Sequence, residues 1–160
     1  MSPLTFGDEV LRLIIAMVLG VIIGWEREAV GKDAGVRTTM LVCIGATLFT
    51  IISIILPSIL GVDISKVAVL SDRVIANVVV GIGFLGGGII IKSGEHVKGL
   101  TTAALVWTTS AIGILVGMGQ IRLAATATVA ITVPLWILRK INLRERIRNG
   151  NGHSENGGGK

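Results

Sequence analysis

Charge is scarce in this chain. Only 16% of its 160 residues are Asp, Glu, Lys or Arg, whereas roughly one-quarter is usual for a soluble domain. With 51% hydrophobic residues and a mean hydropathy of +0.80, the natural reading is one domain in the bilayer, with no soluble part large enough to host an enzyme. Cysteine is nearly absent. Cys43 stands alone in an apolar run, so it can enter no internal disulfide and no metal cluster. The two histidines, His96 in a loop and His153 in the tail, have no plausible Cys or Ser nucleophile beside them, and spacing alone shows no triad. They read as solvated side chains, and neither a catalytic residue nor a cofactor is expected. No acidic residue falls in mid-span, where an ion path would place one. The net charge of +5 comes from basic residues between and beyond the apolar runs rather than on one face, which argues against nucleic acid as a partner.

What the chain does have is apolar length. Five runs approach the roughly 17 to 25 residues needed to cross the hydrocarbon: Glu9 to Trp25, Met40 to Leu60, Val74 to Ile91, Thr101 to Met118 and Ile121 to Leu138. They are apolar all round and lack strict apolar/polar alternation, so they predict an all-α, polytopic membrane helix bundle rather than a barrel. The first run follows Asp8 and Glu9 and ends in Trp25-Glu26-Arg27-Glu28 rather than at small residues, which predicts a retained span, not a signal peptide. The connections are Arg27 to Thr39, Gly61 to Arg73, Lys92 to Leu100 and a tight turn at Gly117 to Gln120. A membrane domain over residues 1–138 is then followed by two short pieces. Arg139 to Arg148 interleaves basic residues with Ile and Leu and predicts a juxtamembrane amphipathic helix on anionic headgroups. Residues 149–160 are mostly Gly and Asn and predict a disordered tail.

Positive charge favours the cytoplasmic side. With five spans and the N-terminus outside, the cytoplasmic side holds 11 Lys and Arg residues and the outer side 4. If the third, glycine-rich segment were re-entrant, four spans with the N-terminus inside would also divide them 11 to 4. Five spans with the C-terminus in the cytoplasm are preferred, because irregular backbone facing lipid is disfavoured.

Gly81-Ile82-Gly83-Phe84-Leu85-Gly86 matches the spacing of a dinucleotide fingerprint, but that motif works at a strand-to-helix turn and here it lies inside an apolar span. Close helix packing is the better reading, since glycine lets backbones approach. The four-residue spacing recurs as Gly20/Gly24, Gly83/Gly87 and Gly113/Gly117, with Gly81, Gly86 and Gly88 on the same third span. The first, third and fourth spans are therefore expected at the bundle's centre. The bland alternative is that glycine is simply common in membrane helices. Ionisable residues gather at Glu26-Arg27-Glu28, with Arg37 in the following loop, and at Asp72-Arg73. Glu26, Glu28 and Asp72 are candidate ligands for a hydrated magnesium ion, which is held by one or two carboxylates and waters. Local neutralisation at span ends is the alternative.

Taken in order, Gly24-Trp25-Glu26-Arg27-Glu28, Gly35-Val36-Arg37-Thr38, Asp72-Arg73-Val74, Gly81 to Gly88 and Val97-Lys98-Gly99-Leu100-Thr101-Thr102-Ala103-Ala104 resemble the MgtC/SapB family of membrane proteins over roughly Val10 to Leu138. The resemblance implies a bacterial or archaeal cytoplasmic-membrane protein linked, in better-studied members, to growth at low magnesium, survival inside macrophages and restraint of the F-type ATP synthase. It points to Glu26, Arg27, Glu28, Gly35, Arg37, Asp72, Arg73, Thr101 and Thr102 as functional candidates. Because those members continue into a soluble cytoplasmic domain, the chain is similar to the shorter, SapB-like form. Two functions are carried forward. One is a non-enzymatic regulator that docks on a partner's helices, such as the F-type ATP synthase. The other is a small magnesium-linked transporter or channel built as a homo-oligomer.

Overall fold

The computed structural model describes residues 5–61, 64–93 and 96–151, and describes side chains at all of these except 58, 64–71, 93 and 142–151. Five helices and one short hairpin follow in order: α1 (Phe6–Glu28), α2 (Val36–Ile59), α3 (Ile64–Ile89), β1 (Ile91–Ser93), β2 (His96–Lys98), α4 (Leu100–Gly117) and α5 (Ile121–Asn151). Four of the helices carry stretches long and apolar enough to cross a membrane: Val36–Pro57, Asp72–Ile89, Leu100–Gly117 and Ile121–Ile141. The α1 helix has 23 residues, about 35 Å at about 1.5 Å per residue, but is charged at both ends. It is opened by a capping box in which Thr5 Oγ1 accepts from the Asp8 amide and the Asp8 carboxylate accepts from the Thr5 amide.

Glycine contacts fix how the helices run. Gly24 lies against Val36 and Gly20 against Met40, so α1 and α2 are antiparallel; Gly113 lies against Cys43 and Gly117 against Thr50, so α2 and α4 are parallel. Gly86 meets Ala103, which makes α3 and α4 antiparallel. Direction alternates along the chain, as successive crossings require. The α3 helix is continuous for 26 residues, about 39 Å, so it contains no re-entrant turn.

Two connections differ from expectation. The third helix starts at Ile64, ten residues before Val74, because the mixed segment ahead of the apolar run, with Val67 to Leu70 apolar, is helical as well. The Lys92 to Leu100 connection is a β-hairpin, pairing Ile91 with Lys98 and Ser93 with His96. Gly99, at φ +86°, carries the chain from β2 into α4, and a Cβ there would strike the carbonyl of Ile89. The α4–α5 turn closes with the Gly119 and Gln120 amides on the Val116 and Leu115 carbonyls, Gly119 taking the left-handed position. The last helix continues through the basic run to Asn151, and residues 152–160 of the expected tail lie outside the described residues.

The centre of the bundle is α2, not the third span. The α1 and α4 glycine faces close on it from two sides, around a core of Ala16, Leu19, Ile23, Cys43, Leu105, Ile112 and Val116. Within the molecule 61% of the α4 span is buried, against 6% of the α3 span and 11% of the α5 span. The last two therefore present most of their surface to lipid or to partners.

Candidate functional site

The charged end of α1 is built by the glycines that precede it. A Cβ at Gly24 would lie 2.5 Å from Val36 Cα and also collide with Thr39 Oγ1. Only glycine lets the first turn of α2 cover the last turn of α1, and Glu26 and Arg27 are buried as a result, each 6% exposed. Burying a charge is costly unless it is paired. Here Arg27 Nε donates to Glu26 Oε2 at 2.6 Å, while Glu26 Oε1 is buried with no hydrogen-bond partner among the described residues.

Glu28 has a different task. Its Oε2 accepts from the Val36 amide at 2.9 Å and caps α2, whose own N-cap, Gly35, has no side chain to do so. A Cβ at Gly35 would come within 2.9 Å of that carboxylate oxygen. Arg37 is exposed. On α5, Arg139 reaches the Ala29 carbonyl by a long 3.5 Å hydrogen bond, and Lys140 lies 5.3 Å from the centre of the Trp136 ring.

The structure thus brings Glu26, Arg27, Glu28 and Gly35 together and leaves Asp72 and Arg73 apart. The latter two are exposed on α3, which starts where α2 ends, at the opposite end of the bundle. Among the described residues no three His, Cys, Asp or Glu side chains group as a metal site. Thr101 is exposed and Thr102 buried in the first turn of α4.

The glycines divide the same way. Gly20, Gly24, Gly113 and Gly117 are all pressed against α2. Among the described residues, Gly81, Gly83, Gly87 and Gly88 would have nothing within 4 Å of an added Cβ, and Gly86 is buried in ordinary 3.7 Å contact with Ala103. Beside them Val80 is 73% and Phe84 84% exposed. An apolar groove of about 620 Å³ runs between α3 and α2, past Gly81, Leu85, Gly45 and Phe49.

Sequence reasoning missed the threonines of α2 and the role of Arg12. Thr39 donates to the Gly20 carbonyl and Thr47 to the Gly113 carbonyl, both at 2.8 Å, where glycine brings the facing backbone close. At the other end, Arg12 Nη1 donates to the Gly117 carbonyl at 2.5 Å and so caps α4. The threonine spacing was legible, but which carbonyl each would meet was not.

A sequence model of the MgtC family matches residues 13–144, a stretch that takes in all of these elements except the first turns of α1 and the end of α5. The chain belongs to the MgtC family. The family members it matches include Protein MgtC of Brucella abortus, 44% identical over 126 residues that cover 79% of this chain and 49% of the relative. Protein MgtC of Salmonella typhimurium is 41% identical over 131 residues, 82% of this chain and 52% of the relative. A Synechocystis protein, named only as uncharacterized, is 40% identical over 137 residues, 86% and 55%. The chain spans about half the length of these relatives. No solved structure matches it. Apolar helices and bacterial relatives together make it a multi-pass protein of the bacterial inner membrane.

Proposed function

We propose that the chain is a non-enzymatic inner-membrane protein, linked to magnesium homeostasis and low-magnesium adaptation, that works by helix contacts with a partner inside the bilayer. The magnesium link, and the F-type ATP synthase as that partner, rest on the family resemblance. The contact surface rests on one observation: α1 and α4 spend their glycines on internal packing, whereas Gly83, Gly87 and Gly88 of α3 are exposed, with nothing among the described residues within 4 Å of an added Cβ. In lipid, where no hydrophobic force joins helices, such a face gains by close van der Waals approach.

The test is capture of solubilised F-type ATP synthase by wild type and by the Gly83→Leu/Gly87→Leu double variant. An added Cβ at either position has nothing within 4 Å among the described residues, so insertion should persist while capture is lost. Capture unchanged in the variant would remove α3 from the interface.

A magnesium-linked transporter or channel is the second reading. The same outward face would then bind a second copy, and the unpartnered oxygen of Glu26 favours it. Magnesium flux into proteoliposomes that is saturable and reduced by Glu26→Gln or Asp72→Asn would establish transport; flux equal to protein-free vesicles would remove it.

A further inference from the structure

A second groove, about 460 Å³, opens between α1 and α5 at the charged end of the bundle. Its apolar wall includes Val21 and Ile22, its rim carries Trp25 and Trp136, and its polar lining is Glu26, Thr132 and Arg139. The two tryptophans are 71% and 54% exposed, as suits indole rings at the headgroup level. Two facts separate this groove from an ordinary gap between helices. Glu26 is 6% exposed, and its Oε1 has no hydrogen-bond donor among the described residues although Oε2 is held by Arg27. Arg139, across the groove, is engaged among the described residues only by a 3.5 Å contact with the Ala29 carbonyl.

A buried carboxylate oxygen without a donor is costly, and the site gains most from a ligand that supplies one. An N–H cation meets Glu26, an anion meets Arg139, and the apolar wall accepts a hydrocarbon chain. All three belong to one lipid molecule at headgroup depth. We propose that this groove binds a phospholipid of the phosphoethanolamine class, its ammonium group on the Glu26 carboxylate, its phosphate on Arg139 and an acyl chain along Val21 and Ile22.

The charge pattern selects among lipids. Phosphatidylcholine carries the same phosphate but its quaternary ammonium has no N–H, and phosphatidylglycerol carries the phosphate without an amine. Of these three, the ethanolamine lipid alone satisfies both ends.

The experiment is native mass spectrometry of the full chain, released from nanodiscs holding equal amounts of phosphatidylethanolamine, phosphatidylcholine and phosphatidylglycerol with matched acyl chains. Wild type should retain the ethanolamine lipid about tenfold over the other two, the size of one charge-assisted hydrogen bond. Glu26→Gln should abolish that preference. Arg139→Gln should lower retention of all three lipids alike, since every one offers a phosphate. Arg122→Gln, on the exposed first turn of α5 at the other end, should change nothing. Equal retention by wild type, a preference that survives Glu26→Gln in a variant of normal helicity, or a dimer that carries no lipid would each overturn the proposal. If Glu26→Gln fails to insert, Arg139→Gln still decides: loss confined to one lipid, or no loss, refutes the phosphate contact.

Discussion

At Gly24 and Gly113 the chain tolerates no side chain, because added Cβ atoms would run into α2 backbone or side-chain atoms. Overpacking of this kind costs about 1–3 kcal/mol. Gly24→Leu should lower the unfolding free energy measured by SDS titration in mixed micelles by that much or prevent folding, and a variant as stable as wild type would mean that α1 does not dock as described. The threonines offer a finer test. Thr47→Val removes the 2.8 Å bond to the Gly113 carbonyl of another helix, whereas Thr109→Val removes only a bond to its own helix, at Leu105. Interhelical bonds in membranes are worth about 0.6 kcal/mol on average and at most about 2. The first variant should therefore lose more stability than the second in the same titration. Glu28 acts through one cap: Glu28→Ala should cost about 1 kcal/mol, and Glu28→Gln, which keeps an acceptor for the Val36 amide, should recover most of it.

Among the elements, α3 and α4 carry similar apolar content but have opposite surroundings. Little of α3 is buried, and most of α4 is. Leucine at Gly83 should thus change stability by less than about 0.5 kcal/mol, because nothing lies within 4 Å, and better helix propensity partly offsets any loss. Leucine at Gly117, where a Cβ would lie 2.5 Å from Thr50 Cβ, should be severe. Equal effects in the same denaturation assay would show that α3 is packed within the protomer after all. The contrast also separates two roles of one motif. A four-residue glycine spacing states that a helix can be approached closely; it does not state by what.

For the molecule as a whole, five alternating helices put the start of α1 and the end of α5 on opposite sides. The contacts of Arg12 with Gly117, and of Arg139 with Ala29, join helix ends that this alternation places on the same side. With 11 of 15 basic residues on the side of the C-terminus, the N-terminus is expected outside. A reporter at the N-terminus should be active only in the periplasm and one at the C-terminus only in the cytoplasm. An N-terminal reporter active in the cytoplasm would refute this arrangement.

Membrane residence, helix number and family were legible in the residues, because apolar length is a local sum that no packing arrangement alters. So were the charged span ends, and the glycine positions at which close approach is possible. The tertiary structure decided which approach occurs. It set α2 between the α1 and α4 glycines and left Gly83, Gly87 and Gly88 of α3 exposed. It also buried Glu26 beside Arg27 and parted both from Asp72, and it put Arg12 on the end of α4. Each of these depends on the rotation and register of one helix against another. In a bilayer, lipid and protein are equally apolar neighbours for a helix face, so hydropathy carries no record of that choice.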